Sequence, residues 1–204
     1  MKKIKPYYLT ILFIVVNVIL FLLTDLTGGA TDTYHMIRWG AEYAPLVQKG
    51  EYYRLFTSMF LHFGIEHLMS NMLILGAFGE RMEPALGHWK YAVIYLCGGI
   101  AGNLVSLGVS FSTGEYHVSA GASGAVFAIL GAMIYVVLYH KGKYGEISIR
   151  RLLLMTILSI YIGFSEGGVD NAAHIGGLLA GGILTMLLYH PGRKTSNYQG
   201  GNET

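Results

Sequence analysis

Long apolar runs separated by short polar breaks dominate the chain. A membrane-crossing helix needs about 20 mostly apolar residues. Six segments approach that pattern: roughly residues 7–23, 67–82, 91–111, 120–139, 147–164 and 172–189. The purely apolar part of the second is short. Between the first two lies a long connection, residues 24–66, which mixes aromatic and charged positions ("EYYRLFTSMFLHFG"). Tyr and Phe suit the membrane–water interface, and part of this connection is expected there. The fourth and sixth segments end alike, in "LYHKGK" and "LYHPGRK". These endings read as helix stops with cationic ends, His140 and His190 capping them.

Charge placement tests the count of six. With the lysine-rich start (Lys2, Lys3, Lys5) inside, six spans put 11 of the 14 Lys/Arg residues inside and leave Arg38, Lys49 and Arg54 outside. Dropping the second span reverses that balance. The positive-inside tendency therefore favours six spans with both termini cytoplasmic. A cleaved signal peptide is the rival for the first segment, whose apolar run is longer than a signal core of 7–15 residues. Residues 1–191 read as one six-span domain, and residues 192–204 as a polar cytoplasmic tail.

Composition agrees. Of 204 residues, 53% are hydrophobic and 13% charged, against about 25% charged in a soluble domain. Mean hydropathy is +0.47. The expected class is an all-α integral membrane bundle. A net charge of +2 gives no reason to expect a nucleic-acid partner. The lone Cys97 has no intrachain disulfide partner and is expected to be a small buried hydrophobe. Many of the 28 glycines lie inside apolar segments, where small residues let helix backbones pack closely.

Polar groups inside a membrane are costly and mark function by default. Four stand out: His67 and Asn71 in the second segment, Ser123 in the fourth, His174 in the sixth. In the six-span topology all three segments run from outside to inside. Each residue falls in the first two turns, so at about 1.5 Å per residue all four converge roughly 5–10 Å below the outer helix ends. A serine becomes a nucleophile when a base such as histidine takes its proton. Attack on an amide makes an oxyanion, which needs donors. The first turn of a helix has N–H groups without intrahelical partners and the positive end of the dipole. "GASG" (Gly121–Gly124) thus places a hydroxyl at an anion site, and Gly121 allows close backbone approach. His67 and Asn71, at i and i+4, share a face and can add donors. Small stripes, Gly124–Ala128–Gly131 and Gly177–Gly181 with His174, let the fourth and sixth helices meet.

Bland readings compete. A serine in a membrane helix commonly bonds the carbonyl one turn back, and a histidine can simply pair with a neighbour. His62 and His117 read as interfacial or structural. His62 and His67 are five apart, on different faces of a helix, and form no His-Glu-x-x-His zinc motif. Asp25, Asp32 and Asp170 lie at segment ends or in loops, so an intramembrane aspartate dyad is not expected. Asp170, four residues before His174, is a candidate orienter, but the expected unit is a Ser–His dyad. A glycine-rich bundle with buried histidines also suits a transporter or channel, although no inverted repeat is visible.

These motifs resemble the rhomboid family of intramembrane serine proteases. "GASG" resembles the family's Gly-x-Ser-Gly, "AHIGGLLAG" (Ala173–Gly181) its Ala-His-x-x-Gly-x-x-x-Gly, "HLMSN" (His67–Asn71) its His-x-x-x-Asn, and "YRLFTSMFLH" (Tyr53–His62) its Trp-Arg loop motif. The resemblance implies Ser123 as nucleophile and His174 as base, with an oxyanion hole from the Ser123 backbone, His67 and Asn71. It implies single transmembrane helices as substrates, cut near the outer face, and no metal or organic cofactor. Two positions depart from the pattern. Tyr53 replaces tryptophan, which bears on loop anchoring. Phe127 stands one turn below Ser123 where some relatives have tyrosine; a phenyl ring can stack on His174 but cannot donate a hydrogen bond. A catalytically inactive, membrane-protein-binding relative is the alternative within the family.

Overall fold

The computed structural model describes residues 6–165 and 168–190. The basic N-terminal lysines and the polar tail expected at 192–204 lie outside the described residues. The described chain is helical, with α1 (Tyr8–Gly28), α2 (Thr33–Trp39), α3 (Ala44–Gln48), α4 (Arg54–Thr57), α5 (Ile65–Leu86), α6 (His88–Thr113), α7 (Ser123–Tyr139), α8 (Ile149–Ser165) and α9 (Asn171–Leu188). Two short antiparallel ribbons interrupt it. One pairs β1 (Glu42–Tyr43) with β2 (Val118–Ser119); the other pairs β3 (Lys143–Tyr144) with β4 (Ile147–Ser148).

The chain is an all-α integral membrane protein, a helical bundle. α1, α6 and α9 are long and apolar enough to cross a bilayer, with mean hydropathies of 2.6, 1.8 and 1.5; α7 is a shorter apolar helix. α5 and α8 also overlap expected segments, but α5 carries Glu66, Glu80, Arg81 and Glu83, and α8 has only 17 residues.

α7 sits at the centre. An unbroken buried run from Gly124 to Met133 covers all its faces, which is why it shows no amphipathic stripe. α6 and α9 pack on it through glycines. A methyl on Gly177 would overlap the Gly124 carbonyl of α7, and one on Gly181 the Ala128 carbonyl. Gly98 of α6 takes the Ala128 methyl in the same way. Without side chains between them, these backbones meet directly.

α1 docks on α5 along its buried stripe of Thr10, Phe13, Asn17, Phe21 and Thr24. Glu83 of α5 is fully buried and accepts from the Leu9 and Thr10 N–H groups (3.0 and 2.8 Å) and from the Thr10 hydroxyl (2.7 Å). These orphan donors of the first turn of α1 are satisfied by one carboxylate. α8 is peripheral: it buries only Leu152, Thr156 and Gly163, and presents Leu154, Ile157, Tyr161 and Phe164 outward.

The connection from 24 to 66 is folded. Arg54 is buried at its centre, donating to the Ile37 and Ala41 carbonyls at 2.7 and 2.9 Å and pairing with Glu51. Tyr53 is exposed and donates its hydroxyl to Glu51. Arg54, rather than the aromatic ring beside it, therefore anchors this segment. Cys97, expected to be buried, is exposed on α6. It lies off the face formed by Gly98, Gly99 and Gly102, which α7 and α9 occupy. In an apolar surrounding, exposure costs a thiol little.

Candidate active site

Four segments meet at the start of α7. Ser123 is the first residue of that helix, three residues later than the segment start expected at 120. The chain before it is tied to the 24–66 connection instead of being helical. Gly121 N–H donates to the Ser58 carbonyl (3.0 Å), and Ala122 N–H donates to His62 Nε2 (3.3 Å). Ala122 offers no side-chain cap, so the first-turn N–H groups at Ser123, Gly124 and Ala125 carry no capping side chain.

Ser123 opens its helix instead of lying within it. Elsewhere in the bundle, hydroxyls do bond the carbonyl one turn back: Thr24 to Leu20, Thr156 to Leu152 and Thr185 to Gly181. Ser123 has no preceding helical turn, and its hydroxyl is left for other partners.

Gly121 is where the second segment reaches the fourth. A Cβ there would lie 2.8 Å from His67 Cε1, 3.0 Å from His67 Nε2 and 3.6 Å from Ser123 Oγ. His67 and the Ser123 hydroxyl thus flank one gap that a side chain would close. His174, in the first turn of α9, stacks face to face on Phe127, with ring centroids 4.2 Å apart and planes 9° apart. Phe127 is one turn below Ser123, so the stack holds the imidazole beside the first turn of α7. Gly124 of α7 and Gly177 of α9 come into direct contact nearby. The structure therefore brings His67, Gly121, Ser123, Phe127 and His174 to one place. It does not join Ser123 Oγ to His174 by a hydrogen bond, and His174 Nδ1 is buried without a partner.

Asn71 is buried on the same helix as His67, and its amide donates to the His67 carbonyl at 2.9 Å. A second amide hydrogen remains for another acceptor. Asp170 caps α9, accepting from Ala173 N–H at 2.9 Å. Its other oxygen accepts from Ser106 and Ser119 (2.6 and 2.8 Å), and neither oxygen bonds the His174 ring.

His62 has the structural place that was one of its two expected readings. It is not on the helix of His67, because α5 starts at Ile65 after Gly64 turns the chain (φ +80°). The two rings meet edge to face at 5.1 Å. His62 is fully buried, and burial first, then the neighbouring His67, push it down to about 3. It stays neutral and serves as an acceptor for the strand leading to Ser123. The five-residue spacing gave no signal of this. Above the site, Glu42 of β1 is pushed up to about 8, first by burial and then by the negative Asp170. His117 is exposed near Glu115. Among the described residues, no cluster of three or more His, Cys, Asp or Glu side chains could hold a metal ion.

Residues 49–191 match the family model described as the rhomboid domain. The chain belongs to the rhomboid family. It is 37% identical over 187 residues to rhomboid protease GluP of Bacillus subtilis, covering 92% of this chain and 36% of that protein. It is 40% identical over 151 residues to RHOMBOID-like protein 5 of Arabidopsis thaliana, covering 73% of this chain and 48% of that protein. It is also 29% identical over 141 residues to the putative rhomboid protease YdcA of Bacillus subtilis, covering 69% of each. This rhomboid-family chain thus spans about a third to a half of the length of the first two relatives.

Proposed function

We propose that this chain is an intramembrane serine endopeptidase. Its substrates are transmembrane proteins, cut in or near their membrane helices. His174 takes the proton of Ser123 Oγ as the oxygen attacks the scissile carbonyl carbon. The Ser123 N–H, His67 and Asn71 donate to the resulting oxyanion. His174 then returns the proton to the departing amine, and water hydrolyses the acyl-enzyme. Phe127 supports the imidazole by stacking alone. Six spans with both termini cytoplasmic would open the site toward the outer face of the cell membrane.

The observation that carries this reading is the convergence at Gly121 and Phe127. His67 lies against Gly121 beside Ser123, and His174 stacks one turn below. A shared structural role would not require the serine to sit at an uncapped helix start. The unmade Ser123–His174 hydrogen bond is the one observation that favours the second reading, an inactive membrane-protein binder.

Turnover separates the two. The wild-type protein in vesicles should cleave a single-span reporter, and Ser123→Ala and His174→Ala should each lower the rate more than about 1,000-fold. No turnover by a well-folded wild-type protein on a panel of single-span reporters would favour the binder. A tag within residues 24–66 should be open to external protease on intact cells, and one after His190 protected.

A further inference from the structure

We propose that Asp170 is a positioning residue, holding the segment that leads into Ser123 in register with the turn that carries His174. The inference rests on the serine-protease reading above. Asp170 stands four residues before His174, at the N-cap of α9. Ser119 stands four residues before Ser123, in β2, where it pairs with Glu42. One Asp170 oxygen caps α9 through Ala173 N–H (2.9 Å). The other accepts from the Ser119 hydroxyl (2.8 Å) and the Ser106 hydroxyl of α6 (2.6 Å). One carboxylate therefore ties α9, β2 and α6 together, across 51 and 64 residues of sequence.

Capping alone does not require this arrangement. An N-cap needs one acceptor oxygen, which serine or asparagine supplies. Two oxygens with about four acceptor sites are particular to an ionised carboxylate. The carboxylate also bypasses the imidazole. The hydrogen bond between the two residues runs from the His174 backbone N–H to the Asp170 carbonyl (3.1 Å), with none from the carboxylate to the ring. Through its hydrogen bonds Asp170 thus holds the two backbones that carry the reacting side chains. Between Ser119 and Ser123 the chain has no helical turn to absorb movement. A shift of Ser119 passes through Gly121, which sits against His67.

The test uses the full chain in vesicles with a single-span reporter, and reads kcat, KM, melting and the rate of fluorophosphonate labelling. Ser119→Ala removes the tie while leaving the cap and the charge. Asp170→Asn leaves one oxygen to serve either the cap or the serines. Each should lower kcat and the labelling rate about 10-fold with KM within about twofold, as misplacement of reacting groups does. Ser119→Ala added to Asp170→Asn should cost little more, because both remove one connection. Ser119→Thr, which keeps the hydroxyl, should restore most of the rate. Full kcat in Ser119→Ala, or losses that only follow the unfolded fraction, would overturn the proposal, and Ser119→Ala decides alone if Asp170→Asn does not fold. If wild type neither turns over nor labels, the protease reading itself fails. If wild type is active and Ser119→Ala is equally active, only the positioning role fails.

Discussion

Adding one methyl at Gly181 tests whether helix contact sets the site. The Cβ would lie 2.5 Å from the Ala128 Cα and overlap the Ala128 carbonyl. Both obstacles are backbone, so neither can rotate away, and α9 must move off α7. Overpacking of this kind costs about 1–3 kcal/mol. The same movement carries His174, two turns up α9, away from Ser123. A displacement near 1 Å at reacting groups costs on the order of 100-fold in rate. Gly182 is the control on the same helix. Its Cβ would meet the Gly131 carbonyl at 3.7 Å, an ordinary contact. Gly182→Ala should melt within about 0.5 kcal/mol of wild type or gain slightly, since alanine favours helix over glycine. Melting in detergent and reporter kinetics on the same preparations measure both effects. A Gly181→Ala protein with wild-type melting and kcat would refute the close-contact argument. Equal losses in both variants would refute it too, by removing its positional basis.

Three further outcomes are expected. Asn71→Ala should lower kcat about 10- to 100-fold with little change in KM and near-normal melting, because an oxyanion donor acts chiefly in the transition state; full kcat would remove Asn71 from the set. Phe127→Ala should lower kcat and destabilise the fold by about 3 kcal/mol, since it removes a buried ring stacked on His174, whereas Phe127→Tyr should retain activity. Glu42→Gln should stabilise the protein increasingly with pH. The Glu42 carboxyl ionises near 4.5 when unfolded and about 8 when folded, so wild type is favoured fully below the first value and loses that advantage as pH rises to the second. Within that window each pH unit adds up to about 1.4 kcal/mol to the difference, and melting from pH 5 to 9 should show it widening and then levelling.

How far the sequence led depends on the residue. The spacing of His67 and Asn71, the GASG turn and the glycines around His174 are local patterns, and local patterns report helix faces directly. Phe127 was readable because it falls one turn from Ser123. The start of α7 was not. Hydropathy continues through Ala120 and Ala122, but hydrogen bonds from Gly121 to Ser58 and from Ala122 to His62 hold that stretch out of the helix. His62 read only as interfacial or structural, because its partners are a ring after a chain turn and an amide 60 residues away. The contacts of Ser106 and Ser119 with Asp170 are equally non-local. Cys97 was misjudged because an apolar run in a membrane does not say which face meets protein.

The central claim is that Ser123 is an activated nucleophile. Its most direct measurement is fluorophosphonate treatment of the folded wild-type protein, followed by mass spectrometry of its peptides. The account predicts one phosphonylated residue, Ser123, with labelling lost in Ser123→Ala and strongly slowed in His174→Ala. Labelling confined to any other hydroxyl, or no labelling of a protein that cleaves its reporter, would contradict it.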